Sequence, residues 1–429
     1  MVVQFEYRVP SKSIDPIQQD QWSFNRLRAQ HWGQMDSFKK ILYVVHRCFF
    51  VIREEIIHFA HSLRSFAFLE GGCRRFSQLS AFTDLFPSYT QFLQAIRSDR
   101  TGSCAQSVDS IFHNEVFFQR MVPEITRRLE LDKRPQGSLA SFVLAYRRVA
   151  AHSAVPPRNL PGPFDPILQG NLPYSWKNVE IPHAAACSLI RMPTATRDVC
   201  VPSRDDRHAC VTEEFVQFIR NQQAQGRRHL YVNLMVKAHG SEGMRTRALK
   251  DFAETVPGTF CFVTLDKNSA FYLQAETSLF QEKEAFFADL LQSMKDERLY
   301  DWPHDMPKDL CEQAVKSVCT RYTVAKTLSR HERSVFIDLV HTEIIQSLLY
   351  HYAPQTMNIS CLNCIDRGVA QQLQFVAQYH IQRHEEVLTK EFYAAAFAPA
   401  YLVSNRTMQN KRFTRLVSVL DRMLQNSEF

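Results

Sequence analysis

Two runs rich in β-forming residues, His229-Leu-Tyr-Val-Asn-Leu-Met-Val and Thr259-Phe-Cys-Phe-Val-Thr-Leu265, bracket a helical stretch from Glu242 to Thr255. A strand, a helix and a second strand of these lengths close as a parallel pair with a crossover, since parallel strands cannot share a tight hairpin. Ser241 stands where an N-cap is wanted, just ahead of the helix. Two longer helical patterns, Asp309–Leu328 and Glu332–Tyr350, lead to a third short extended run that ends before Cys361. The fold class expected is therefore α/β: a mainly parallel sheet flanked by helices. Ligands of such sheets gather outside the carboxyl ends of the strands.

Cys361 follows directly from one such end, in Met357-Asn-Ile-Ser-Cys361-Leu-Asn-Cys364-Ile-Asp366-Arg367-Gly368. Among eleven cysteines and many arginines, about one Cys-x5-Arg spacing arises by chance. Its setting makes this one informative. A strand-like stretch precedes it, and Val369, Leu373 and Val376 recur at helical spacing after it. A loop entering a helix aims successive N–H groups at one point, and the helix dipole adds positive potential there. A thiolate at its first position is stabilised by that field. An Arg at its end grips phosphate oxygens through two parallel hydrogen bonds. The competing reading is an ordinary turn holding two buried cysteines.

These residues resemble the catalytic loop of Cys-x5-Arg lipid phosphatases. The pattern is closest to the Sac-type phosphoinositide phosphatases, which also have a second Cys three positions on and an Asp before the Arg; myotubularins share that Asp. More distantly it is similar to the inositol-phosphate and phosphoinositide phosphatase effectors that intracellular bacteria deliver into host cells. The blocks Ser241-Glu-Gly-Met-Arg245-Thr-Arg247 and Val263-Thr-Leu-Asp266-Lys267-Asn268-Ser269-Ala-Phe-Tyr272 resemble stretches upstream of the loop in those effectors. The resemblance implies a phosphoinositide or inositol phosphate substrate, bound along Leu362, Asn363, Cys364, Ile365 and Gly368. It also allows delivery into a host cell without a classical signal peptide. Two departures stand out. Gly368 replaces the Sac-type Thr, and Leu362 and Ile365 occupy positions where some relatives carry phosphate-reading lysines.

The expected chemistry is two-step phosphomonoester hydrolysis. Cys361 attacks phosphorus, Arg367 and the loop N–H groups hold the equatorial oxygens, and Asp366 protonates the leaving alkoxide. Water then hydrolyses the cysteinyl-phosphate. Asp305, in Asp301-Trp-Pro-His-Asp305, is the alternative acid, but His304 breaks the Trp-Pro-Asp order of tyrosine phosphatases. Past the end of the second strand, Lys267 is a candidate phosphate ligand and Asp266 a candidate partner for Arg367; a polar turn is the bland alternative. Arg406 is a further candidate substrate ligand. It opens a basic stretch with Lys411, Arg412, Arg415 and Arg422, beside an apolar stripe of Phe413, Leu416, Leu420 and Leu424 that reads as core packing. Cys364 is a space-filling residue, a resolving thiol for Cys361, or half of a redox Cys-x-x-Cys.

The 429 residues suffice for two domains, and 32 phenylalanines require a large core. The first third reads as helices over 37–68, 76–98 and 108–131. Five prolines and a glycine then crowd Val155-Pro-Pro-Arg-Asn-Leu-Pro-Gly-Pro-Phe-Asp-Pro. The division expected is a helical region over 1–155, a linker over 156–174 and a phosphatase domain over 175–429. A net charge of +7 favours anionic partners. The partners expected are the phosphorylated substrate and an anionic membrane surface, with no nucleic acid. Eleven irregularly spaced cysteines point to a reducing compartment, and no secretory signal opens the chain, so the location expected is cytoplasmic. With no metal-ligand spacing, Walker loop or Rossmann fingerprint, neither metal nor cofactor is expected. A phosphoprotein phosphatase, an inactive phosphoinositide-binding module and a thioredoxin-like oxidoreductase are the alternatives.

Overall fold

The structure, a computed structural model, describes residues 112–113, 115–128, 137–152, 164–166, 171–199, 208–237, 240–275, 278–322, 325–404 and 406–426. The helices expected over 37–68 and 76–98 lie outside the described residues, as does most of the 156–174 stretch.

A five-stranded sheet has the order β1-β2-β9-β5-β6, formed by β1 (Tyr174–Val179), β2 (Cys187–Arg191), β9 (Thr356–Ser360), β5 (His229–Asn233) and β6 (Phe260–Thr264). The β2–β9, β9–β5 and β5–β6 pairs are parallel, and β1 runs antiparallel at the edge. Two small antiparallel pairs stand apart: β3 (Thr196–Val199) with β4 (His208–Val211), and β7 (Phe280–Glu282) with β8 (Thr327–Ser329).

Every residue of β5 and β9 is buried, the polar His229, Asn233, Thr356, Asn358 and Ser360 included, because helices cover both faces of these central strands. Tyr231, Phe260, Phe262 and Ile190 join residues of α3 (Glu213–Ala224) and α4 (Gly240–Thr255) in one aromatic-rich core. Strand alternation turns Leu230, Val232, Met357 and Ile359 to the opposite face, where α8 (Arg330–Tyr352) and α9 (Arg367–Gln382) pack. A polar ladder crosses the centre: His229 Nδ1 meets Thr356 Oγ1 at 2.8 Å and Nε2 meets Asn358 Oδ1 at 2.7 Å. Burial lowers the pKa of His229 to about 3, so this histidine is a neutral core residue.

The remaining helices are α5 (Ala270–Leu273), α6 (Lys283–Met294), α7 (Leu310–Arg321), α10 (Lys390–Ser404) and α11 (Asn410–Gln425). The helix expected over 309–328 stops at Arg321, and Thr327–Ser329 pairs as β8 instead. Ser329 and Glu332 form a reciprocal capping box that starts α8, and Ala353 ends it in the left-handed region. Upstream of the proline-rich stretch, α1 (Glu115–Arg128) stacks Phe118 on Tyr174 of β1 at 5.6 Å. Helix α2 (Leu139–His152) inserts Phe142 among Phe392, Phe397 and Phe413 and stacks Tyr146 on Phe413 at 3.7 Å. The apolar core thus continues across residue 155. Among the described residues no helix is long and apolar enough to cross a membrane.

Candidate active site

Cys361 leaves the carboxyl end of the central strand β9, and Arg367 opens α9 six residues later. Between them, three successive carbonyls turn outward. Leu362 O accepts from Thr194 N at 3.0 Å. Asn363 O accepts from Asn171 Nδ2 at 2.9 Å and from an Arg191 guanidinium nitrogen at 2.7 Å. Cys364 O accepts from two Arg191 nitrogens at 3.1 and 2.9 Å. In a trans peptide the carbonyl and the following N–H point in opposite directions. Outward carbonyls at 362–364 therefore turn the N–H groups of Asn363, Cys364 and Ile365 toward the interior of the loop, the geometry of an anion cradle.

The loop side chains contribute little polarity. Leu362 packs against the aromatic core, and Cys364 and Ile365 are buried. Of the loop residues expected to bind substrate, these three present backbone and not side chain. Cys364 adopts φ 49°, and its Sγ donates to Ile359 O at 3.3 Å and accepts from Gln372 Nε2 at 3.6 Å. Burial pushes the Cys364 thiol up to about 12, against the opposing field of Arg191. Such a thiol is a poor nucleophile. Its sulfur is buried under the loop, between Ile359 and Gln372. Gly368 explains itself in the same place. A Cβ there would stand 2.5 Å from Cys364 Sγ, 3.0 Å from Ile359 O and 3.3 Å from Cys361 N. The Thr of the Sac-type loop does not fit above this buried sulfur.

Arg367 is held by Glu242 on α4: one guanidinium nitrogen reaches Glu242 Oε2 at 3.1 Å and Leu234 O at 3.0 Å, and the other bonds Glu242 Oε1. Burial opposes the Arg367 charge, but Cys361 and Glu242 outweigh it and raise its pKa above the ordinary arginine value. Glu242 also accepts from Val236 N at 2.8 Å, tying the segment after β5 to the same carboxylate. Asp266 does not take this role. Its oxygens accept from the N–H groups of Asn268 and Ser269 and from the Ser269 hydroxyl, capping the turn into α5.

Asp366 is fully engaged as an acceptor. Arg406 reaches its two oxygens at 2.9 and 2.7 Å, and Gln409 N reaches it at 2.8 Å. Arg406 is thus brought to the loop by Asp366. Asp305 accepts from Tyr352 at the C-terminal end of α8, the helix that leads into β9, so it lies toward the amino edge of the sheet and away from Cys361.

Lys267 is buried and ion-paired with Asp338 on α8; Asp338 also takes hydrogen bonds from Tyr272 at 3.1 Å and from Arg415 on α11. The Tyr272 ring lies under two of these cations, with Arg415 at 3.9 Å and Lys267 at 4.9 Å from its centroid. Arg412 bonds Lys267 O at 3.2 Å. Together with Arg367, Ala370, Gln371 and Gln374 these residues line one cleft. Phe413, Leu416 and Leu420 are buried, as the stripe on α11 requires, while Arg412 and Arg415 flank it toward the cleft.

Sequence reasoning missed Glu242 as the Arg367 anchor, Arg191 as the clamp on the loop, and Asp338 at the centre of the cation cluster. No local pattern marks the last two. Gln371 and Gln374 could have been found, since they follow Arg367 at i+4 and i+7 and share its helix face. Among the described residues no group of three or more His, Cys, Asp or Glu is placed to hold a metal. Compared with protein-family models, curated proteins and solved structures, the chain matches none.

Proposed function

We propose that this chain is a cysteine-dependent phosphatase acting on a phosphoinositide or inositol phosphate, as the resemblance of its loop to Sac-type phosphatases implies. The observation that carries the reading is the inverted loop. Three carbonyls are bonded outward to Thr194, Asn171 and Arg191, and Arg367 is fixed at the loop's end by Glu242. Donors are thus aimed before any ligand arrives, so stabilising a developing trigonal-bipyramidal phosphate costs no reorganisation at the moment of reaction.

Cys361 attacks phosphorus, the S–P bond forms as the P–O bond to the alcohol breaks, and the alcohol leaves with a proton. Asp366 is the carboxyl group nearest in sequence to Arg367, but Arg406 must release it before it can donate. Water then displaces the thiolate and gives inorganic phosphate. An inactive phosphate-binding module would need the same cradle and is separated from the enzyme only by turnover.

The test is phosphate release from phosphoinositides, inositol phosphates, phosphopeptides and an aryl phosphate. Cys361→Ser is expected to abolish release with the fold intact by circular dichroism, and near-normal turnover in that variant overturns the mechanism. Asp366→Asn is expected to slow alkyl phosphates far more than aryl phosphates, whose leaving groups need little protonation. An equal loss on both would mean that Asp366 only seats Arg406.

A further inference from the structure

The cleft beside Arg367 contains an imbalance that no group among the described residues resolves. Gln371 and Gln374 are 1% and 2% exposed, and the side-chain carbonyl oxygen of each is buried without a hydrogen-bond partner among the described residues. The orientation of Gln371 is fixed by its neighbour. Thr342 spends its hydroxyl proton on Asp338 O at 2.8 Å, so it can only accept from the Gln371 amide at 2.8 Å. That leaves Gln371 Oε1 as the orphan. An unpaired buried carbonyl is destabilising, so two of them lining one cleft need a reason. The same cleft is lined by Lys267, Arg412 and Arg415 besides Arg367, and among the described residues that line it Asp338 is the one carboxylate.

The cleft therefore asks for a ligand that presents both an anion and hydroxyl donors. We propose that it is a second subsite for a polyol carrying at least two phosphates: one phosphate lies in the Cys361 loop, another meets Arg412 and its neighbouring cations, and ring hydroxyls donate to Gln371 and Gln374. This rests on the phosphatase reading of the loop and narrows it to inositol bisphosphates or higher, as headgroup or as free sugar phosphate. A phosphotyrosine or phosphoserine side chain has neither a second anion nor free hydroxyls to offer. The loop lacks the lysines that read extra phosphates in some relatives, so this reading moves to α9 and α11. The enclosed volume is small, about 10 Å³, so entry of a ring requires the cleft to widen. Arg412, half-buried in the first turn of α11, is the cation placed to swing.

Calorimetric titration of the full-length Cys361→Ser protein tests the subsite without turnover. The probes are an inositol monophosphate, an inositol bisphosphate with adjacent phosphates, propanediol bisphosphate (two phosphates, no hydroxyl) and a short-chain phosphatidylinositol bisphosphate. The inositol bisphosphate is expected to bind about tenfold tighter than either the monophosphate or propanediol bisphosphate, a difference of about 1.4 kcal/mol. Arg412→Gln should erase the preference for two phosphates, and Gln374→Leu the preference for hydroxyls. Gln374→Leu should also raise the melting temperature, because an apolar side chain removes the orphan carbonyl. If Gln374→Leu does not fold, Gln371→Met makes the same comparison. Equal affinity for mono- and bisphosphate, or unchanged hydroxyl preference in the glutamine variants, overturns the subsite. Tighter binding of the lipid than of the free bisphosphate assigns the headgroup source, and the reverse assigns the soluble one; either result upholds the subsite. Absence of phosphate release by the parent protein in the separate release assay would sink the phosphatase reading while leaving these binding results to stand.

Discussion

The loop around Cys361 and the cleft around Asp338 meet at Arg367 but are built on opposite plans. In the loop the polar work is done by backbone, and the side chains of Leu362, Cys364 and Ile365 are turned into apolar surroundings. In the cleft it is done by side chains brought from distant segments: Lys267 after β6, Asp338 on α8, Gln371 and Gln374 on α9, Arg412 and Arg415 on α11. Backbone donors recognise any phosphate, since every phosphate offers the same oxygens. Side chains at fixed distances recognise only one arrangement of phosphates and hydroxyls. On the proposed function, generic phosphoryl chemistry belongs to the loop and substrate choice to the cleft, and each region can be perturbed separately.

The largest effect short of losing Cys361 is expected at Glu242. Its carboxylate is the side-chain partner that holds both guanidinium nitrogens of Arg367. Glu242→Ala frees the guanidinium to leave the position from which it would grip phosphate, and a displacement of about 1 Å at such a group costs about 100-fold in rate. The loss should fall on kcat for aryl phosphate and inositol bisphosphate alike, with Glu242→Asp recovering part of it. A loss confined to the inositol substrate would break the comparison, because it would make Arg367 a selectivity residue and not part of the generic machinery.

Gly368 probes the loop from beneath. Gly368→Thr forces Cβ against Cys364 Sγ and the Ile359 carbonyl, and overpacking of this kind costs about 1–3 kcal/mol of stability. Chemical denaturation measures it. Because the nearest obstacle is sulfur, Cys364→Ala should relieve part of the cost, so the double variant is expected to be more stable than the sum of the two single changes. The tight approach to Ile359 O and Cys361 N remains in the double variant, so the relief is incomplete. Strict additivity would show that the backbone alone excludes a side chain here.

These two regions also differ in how far they can be read from sequence. The parallel sheet and the place of Cys361 follow from local patterns: β-rich runs, a helical repeat and a strand-to-helix junction. Those patterns also located Lys267 and Arg412 near a sheet end and on a flanked helix stripe. The partners that give these residues meaning are non-local. Arg191 lies 173 residues from Cys364, and Glu242 lies 125 residues from Arg367. Asp338 sits inside a helix buried on nearly all sides, where no amphipathic pattern distinguishes a charge that pairs with Lys267 from one that faces solvent. The absence of Thr at Gly368 reads in sequence as a missing hydroxyl; only the packing shows that the space is already taken by Cys364. The strand β1 escaped notice because, at the sheet edge, it carries polar Ser175, Lys177 and Asn178.

The smallest expected effect belongs to the cleft and depends on pH. Lys267 faces Asp338 and His341 on α8, Tyr272 on α5, Arg367 on α9, and Arg412 and Arg415 on α11. Burial lowers its pKa to about 8; Asp338 opposes the shift and Arg415 adds to it. Burial weighs on Asp338 too, but with Arg415 as a second cation its carboxyl stays well below the usual carboxylate range. Lys267 is therefore the member of the pair that titrates. As pH rises through 8 the cleft loses one positive charge, so the affinity of the Cys361→Ser protein for an inositol bisphosphate should fall several-fold, by less than about 1.4 kcal/mol. The monophosphate, bound in the loop alone, should change far less. Stability moves the other way. The folded value of about 8 lies below the value of about 10.4 for an unfolded lysine, so between the two the unfolded chain binds more protons and stability rises with pH. Lys267→Met leaves Asp338 its bonds to Arg415 and Tyr272 and should flatten both trends relative to the parent protein. If bisphosphate affinity keeps the same pH dependence in Lys267→Met, the charge that reads the second phosphate is not on Lys267, and the cleft's selectivity rests on Arg412 and Arg415 alone.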